Sequence, residues 1–339
     1  MKERLNYFDS FRAIAIIAVI FIHTNNIGYK NEEFSLQYNL SLILRQISNF
    51  GVPLFLAISG YFMMNKKLDT FKSYWQFLKK SIPRVFIPFF VWSLFYSLIS
   101  YGQGNSISLI IKKFIMFGAS VPFYFILLII QYYLLQPCIR KLGQTSIGLI
   151  SSLIISITSC LIIEYCRYYL NINIPLIVYA GNFLSWIFFP TLGSYLYFNV
   201  NFKVNPKILF STTLIFLFIS CLHAFYLTEN YKNVGDAVTA VKVSSFLYSG
   251  SFILYLFSIK NNFGTNQVIL KIGVLSFGIY FSHMLFLNCI SIAIKYFDMV
   301  SYNILMQILI TFFVLLCSYY LGKLLRKINQ GTAIKYFGY

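Results

Sequence analysis

The chain has 339 residues, of which 58% are hydrophobic and 11% charged. A soluble domain carries roughly 25% charged residues, so a water-facing surface cannot be built all round, and lipid has to cover much of this chain. The net charge of +18 would point to nucleic acid in a soluble protein. Here Lys and Arg sit in short segments between apolar runs, where they set topology and meet anionic headgroups, so no nucleic-acid partner is expected. The six cysteines form no CxxC pair and no ligand-like spacing with His, which argues against a disulfide framework and a metal site.

A membrane span needs about 20 mostly apolar residues. Apolar runs divided by polar, Pro or Gly punctuation predict spans over 8–28, 46–64, 85–102, 121–137, 146–165, 176–198, 208–227, 243–259, 272–294 and 303–322. The first run follows Lys2 and Arg4 like a signal sequence. It ends at His23-Thr24-Asn25-Asn26 without a small-x-small site, and is expected to be retained. The stretch 107–118 has apolar residues at helical spacing and suits the outer interface. With the amino terminus inside, most basic residues fall on the cytoplasmic side, among them Lys2, Arg4, Lys66, Lys67, Lys79, Lys80, Arg84, Arg140, Lys141, Lys203, Lys323, Arg326 and Lys327. Lys30, Arg45, Lys112, Lys113, Arg167, Lys232, Lys242 and Lys295 fall outside. The expectation is an all-α integral membrane protein: a single bundle of about ten transmembrane helices with cytoplasmic N and C termini. Residues 1–339 would form one domain in the plasma (inner) membrane, with no separate soluble domain.

Ionisable groups inside a membrane are costly and are functional candidates by default. The first span, "YFDSFRAIAIIAVIFIHTNN", holds Asp9, Arg12 and His23. Eleven residues are about 16–17 Å of helix and return to within about 20° of the starting direction. Arg12 and His23 therefore share one face, Arg12 near the cytoplasm and His23 toward the outer half. That separation suits a long thioester donor: phosphates of a coenzyme A at the guanidinium, the thioester near the imidazole. His23 would take the proton of an attacking hydroxyl. The bland alternative has Arg12 snorkelling to headgroups and His23 in the outer interface. Asp9 either orients Arg12 at i, i+3 or caps the helix.

An Arg followed ten residues later by a His in the first helix resembles the acyltransferase type 3 family. "FGVPLFLAISGYFM" (50–63), "RVFIPFFVWS" (84–93), "PFYFILLIIQYYLLQPCIRKL" (122–142) and "SFGIYFSHMLFL" (276–287) are similar, in order, to further segments of that family. The resemblance covers nearly the whole chain and is to stand-alone members that modify surface glycans. It implies a ten-helix enzyme moving an acyl group, most often acetyl from acetyl-coenzyme A, to a glycan. The family's Arg-x-x-Arg in the first cytoplasmic loop is reduced here to Ser81 and Arg84, with Lys79 or Lys80 to supply the missing charge.

The resemblance implies an acyl-CoA-dependent O-acetyltransferase. His23 would be the general base or a transient acyl carrier, Arg12, Arg84 and Lys80 the coenzyme A site, and no metal is needed. His283 matches the family's late His, and either lines the substrate path or is a hydrogen-bonded core histidine. Glu164, beside Arg167, either orders the acceptor and polarises His23 or forms a local ion pair. Tyr124, Tyr132 and Tyr133 are belt aromatics or a stacking platform for a sugar. Ser59-Gly60 lacks G-x-S-x-G and reads as a small-residue helix contact. The partners would be acyl-CoA, a polysaccharide or lipid-linked glycan, and membrane lipid. The alternative function is a polysaccharide or lipid-linked sugar transporter or flippase, which gives no reason for the Arg12–His23 spacing.

Overall fold

The computed structural model describes residues 6–25, 33, 35–66, 68, 70–199, 204–231, 234–263, 266–296 and 303–339. Lys2, Arg4, Lys30, Lys67, Lys203, Lys232 and positions 26–28 of the first expected span lie outside the described residues. Among the described residues the chain is helical with no strand. The helices are α1 (Asn6–Thr24), α2 (Leu36–Ser48), α3 (Gly51–Met63), α4 (Phe71–Gly102), α5 (Ile107–Ile115), α6 (Tyr124–Leu134), α7 (Gln136–Gly143), α8 (Ser146–Glu164), α9 (Leu176–Tyr179), α10 (Phe188–Phe198), α11 (Pro206–Tyr231), α12 (Val234–Ala237), α13 (Val243–Ser258), α14 (Gln267–Tyr296), α15 (Ile304–Ile328) and α16 (Gln330–Phe337).

Among the described residues seven helical stretches are long and apolar enough to cross a membrane: α1, α2 with α3, α4, α8 extended to Tyr169, α11, α14 and α15. The pair α6 and α7, bent by 73°, is an eighth if counted as one span. Their outer faces carry large exposed apolar side chains, such as Phe210, Leu214 and Phe218 on α11 and Leu309, Phe312 and Leu316 on α15. Stripes of that kind are covered by lipid rather than water. The helix α5 has no buried residue and places Lys112 and Lys113 in its last turn, where cations suit the helix dipole.

Packing divides the chain into two compact units, with the division inside α3. The first comprises Met1–Phe55, Lys203–Leu324 and Tyr339. In it α1 and α14 run parallel, since the Asp9 backbone meets Gly273 at one end and the His23 ring meets His283 at the other. The remaining members alternate. Asn25 donates to the Ser41 carbonyl and Gly51 packs on Ala15 and Val19, so the chain of α2 runs against α1. Phe257, at the end of α13, packs on Phe8 and Phe11. Thr24 and Thr311 hydroxyls meet at 2.7 Å, which sets the start of α15 at the His23 end. Tyr339 lays its ring against Gly278 and Gly322 and donates to the Ser318 carbonyl. Burial pushes its phenol up, so it stays a donor. Thus α1 begins and α15 ends at the same end of this unit.

The second unit comprises Leu56–Phe202 and Leu325–Gly338. Here α4 runs against α6, with the Tyr74 hydroxyl on the Leu134 carbonyl and Tyr96 edge-on to Phe123. Gly60 and Gly193 let α3 and α10 touch backbone to backbone, as a small-residue contact requires; a Cβ on either would collide with Pro190 or Ala57. The 73° bend falls before Pro137, which cannot continue the α6 hydrogen-bond ladder. Arg140 then donates to the carbonyls of Met64 and Lys66, closing the end of α3.

The expected span 243–259 forms α13, at 16 residues shorter than a full span, 121–137 carries the bend between α6 and α7, and three more expected spans differ in detail. The span expected over 46–64 begins at Leu36, because Arg45, Gln46 and Asn49 are hydrogen-bonded inside protein and cost little there. The expected span 85–102 begins at Phe71, so Lys79, Lys80 and Arg84 lie on a helix rather than a loop. The expected span 176–198 is broken into α9, a short 3-10 turn over Phe183–Ser185, and α10. The freed backbone groups find side chains: Gln131 takes both the Gly181 carbonyl and the Phe183 N–H, and the Trp186 indole donates to Ala180. Non-helical backbone at membrane depth is tolerated where protein satisfies it in this way.

Candidate functional site

The helix α1 is unbroken through both Arg12 and His23, so the eleven-residue arithmetic applies to it. Most of α1 is buried, and its half-exposed positions fall on two separate stripes. Tyr7, Ile14, Ile17 and Phe21 form one; Arg12 and His23, about 20° apart around the axis, form the other. At the lower end Arg12 Nη1 donates to Asp9 Oδ1 at 2.9 Å, an i, i+3 pair. The Asp9 side chain is 3% exposed and that of Arg12 32%, so the carboxylate is committed inward while the Arg12 side chain reaches the surface in part. The orienting role of Asp9, open from sequence, is what this geometry favours.

At the upper end the His23 ring lies 5.3 Å, centroid to centroid, from that of His283 on α14. His283 is fully buried; its Nδ1 faces the Ile279 carbonyl at 3.2 Å, and its Nε2 has no hydrogen-bond partner among the described residues. A ring nitrogen against a carbonyl must carry the proton, which leaves Nε2 with the lone pair. Arg45 on α2 donates through Nη1 to the Ile22 carbonyl and through Nε to the Val238 carbonyl at 3.4 Å. It thereby caps the end of α1 beside His23, where a cation also suits the helix dipole. Beyond His23, Thr24, Asn25, Ser41, Gln307 and Thr311 form a buried polar network that fixes the same turn.

Two residues in this region read from sequence as loop charges, Arg45 and Lys242. Lys242 is fully buried, with Nζ donating to the Ser220 carbonyl (3.0 Å), the Ala237 carbonyl (3.1 Å) and Gln46 Oε1 (3.2 Å). Each is a structural pin under the end of α1 or α13. The only sequence signal was polar residues at helical spacing in "LQYNLSLILRQISN". Replacing Arg45 with Met leaves the Ile22 and Val238 carbonyls without that donor, and costs about 1–3 kcal/mol. Thermal unfolding of the purified variant is expected at lower temperature than the parent; an unchanged midpoint would contradict the capping role.

The other residues singled out in the sequence lie in the second unit. Arg84 and Lys80 are exposed on α4, one turn apart, and Lys79 sits over the Trp75 ring. Tyr124 opens α6 and is half-buried, and Glu164 closes α8 and is half-buried. Arg167 lies 4.0 Å from the Tyr179 ring centroid. Tyr132 is committed to structure, its hydroxyl on the Phe183 carbonyl at 2.9 Å, and Tyr133 packs edge-on against Phe77. In the first unit His223 faces the Ser244 hydroxyl at 3.0 Å. The structure thus brings together His23, His283 and Arg45 in one unit, with Arg12 farther along the same helix, and places Arg84, Lys80, Tyr124 and Glu164 in the other.

A family model described as an acyltransferase domain matches residues 5–323 of the chain. Searches of curated proteins and of solved structures found no match. The matched range runs from before α1 into the last turns of α15, and so contains Arg12, His23, Lys80, Arg84, Tyr124, Glu164 and His283. With its apolar membrane-crossing helices, the chain is a multi-pass membrane acyltransferase belonging to the acyltransferase type 3 family.

Proposed function

We propose that this protein moves an acyl group, acetyl in the first instance, from cytoplasmic acyl-coenzyme A to a hydroxyl of a surface polysaccharide or lipid-linked glycan. The observation that carries the reading is the half-exposed stripe of α1 made of Arg12 and His23. His23 accepts the proton of the acceptor hydroxyl as its oxygen attacks the thioester carbonyl. The carbon–sulfur bond breaks, and the imidazolium returns the proton to the leaving thiolate. Arg12 takes the coenzyme A phosphates and His283 lies beside His23; the resemblance assigns Arg84 and Lys80 to the donor and Glu164 and Tyr124 to the acceptor. The thioester is already activated, so the transfer needs no metal. Family membership favours this reading over a sugar transporter, which leaves the Arg12–His23 spacing without a purpose.

Ten crossings with both termini in the cytoplasm fit this assignment. The parallel run of α1 and α14 requires an even number of crossings between their starts. Eight result when α6 with α7, the broken 176–198 segment and α13 each cross. The basic residues at the Arg12 end then face the cytoplasm and the plasma (inner) membrane houses the protein.

Mass analysis of the cell-surface glycan with and without the protein tests the function: one ester mass increment per acylated unit is expected only with it. Glycan lost altogether on deletion would favour transport instead. Arg12→Ala is expected to raise the KM for acyl-coenzyme A about tenfold to a hundredfold, the loss of a charge-assisted hydrogen bond. An unchanged KM in membrane vesicles would remove Arg12 from the donor site.

A further inference from the structure

We infer that His283 is the positioning residue for His23: its Nε2 accepts the proton-bearing nitrogen of His23 and so fixes which His23 nitrogen faces the acceptor hydroxyl. This rests on the reading of His23 as general base. A general base works only if the nitrogen toward substrate carries the lone pair, which demands an acceptor for the other nitrogen. In many hydrolases a carboxylate fills that place. The titratable and charged neighbours of His23 among the described residues are His283 and Arg45, and Arg45 is a donor only.

His283 has the one feature required. Its Nδ1 is satisfied by the Ile279 carbonyl, and its Nε2 is buried, unpartnered and next to the His23 ring. A buried acceptor without a partner is costly and calls for an explanation. At a centroid separation of 5.3 Å a single N–H···N bond fits when the two nitrogens face each other. Such catalytic bonds are often open without substrate and close in the loaded enzyme. When His23 becomes imidazolium, the chain His23 N–H to His283 Nε2, then His283 Nδ1–H to the Ile279 carbonyl, spreads the charge into the peptide dipole without moving a second proton. The two helices are held in register at their other end, where the Asp9 and Gly273 backbones meet.

Two substitutions separate this role from a structural one. His283→Asn keeps a donor for the Ile279 carbonyl and loses the acceptor toward His23; His283→Gln does the reverse. Membrane vesicles carrying the native glycan and supplied with radiolabelled acetyl-coenzyme A give the rate of label entering glycan. The Asn variant is expected to lower the maximal rate about 10²-fold with the KM for acetyl-coenzyme A unchanged, and the Gln variant to be faster than Asn. The double variant His23→Ala/His283→Asn should be no slower than His23→Ala alone, as residues acting as a unit are not additive. Asn faster than Gln, or a further loss in the double variant, overturns the inference and leaves His283 a core histidine. Wild-type rate in His283→Asn with an inactive His23→Ala overturns it while sparing the general base. Wild-type rate in His23→Ala would instead sink the proposed function itself.

Discussion

His23→Ala is expected to insert normally and to lose acyl transfer by about 10²–10⁴-fold, the contribution of a positioned general base. Several features of the fold argue for so large an effect from this one side chain. The last turn of α1 is fixed from three directions: Arg45 on the Ile22 carbonyl, the Thr24–Thr311 hydroxyl pair, and Asn25 on the Ser41 carbonyl. The ring is then flanked by His283 and left half-exposed. Vesicles assayed for glycan labelling read the loss, and detection of the variant in the membrane fraction separates it from failed insertion. Full activity in an inserted variant would contradict the assignment.

Gly273→Val is expected to lower activity about 10²-fold although Gly273 takes no part in the chemistry. A Cβ at Gly273 would fall inside van der Waals contact of the Asp9 carbonyl, and backbone cannot give way as a side-chain tip does. Overpacking of this kind costs typically 1–3 kcal/mol and is relieved by moving the helices apart. Displacing α14 from α1 widens the His23–His283 gap and shifts the Asp9–Arg12 pair, and a misplacement of about 1 Å is enough for such a loss. The variant should show both a lower unfolding temperature and a lower maximal rate. Wild-type activity would mean that the crossing of α1 and α14 does not set the site.

What the sequence made legible was decided by solvent. Apolar runs mark α1, α8, α11, α14 and α15 well, because lipid demands the same composition around a helix whatever it does. The face shared by Arg12 and His23 was also legible, since an unbroken helix fixes the angle between positions. Arg45 and Lys242 were not. Charges beside apolar runs read as loop residues until the structure supplies the carbonyls of Ile22, Val238, Ser220 and Ala237 that satisfy them. The break within 176–198 was hidden for the same reason, as its residues are apolar enough to span and side chains distant in sequence, such as Gln131, 50 residues away from Gly181, make the interruption possible. The pairing of His283 with His23 joins positions on two different helices, and no local pattern announces it.

The claim that one donor reaches from Arg12 to His23 can be tested by where its acyl end lies. An acyl-coenzyme A carrying a small diazirine in the acyl group, irradiated with the protein in membrane vesicles and mapped by mass spectrometry, should label the end of α1 around His23 and α14 around His283. Excess acetyl-coenzyme A should suppress that labelling. Label confined to the first turns of α1 near Arg12, or spread over lipid-facing residues and insensitive to acetyl-coenzyme A, would contradict the account.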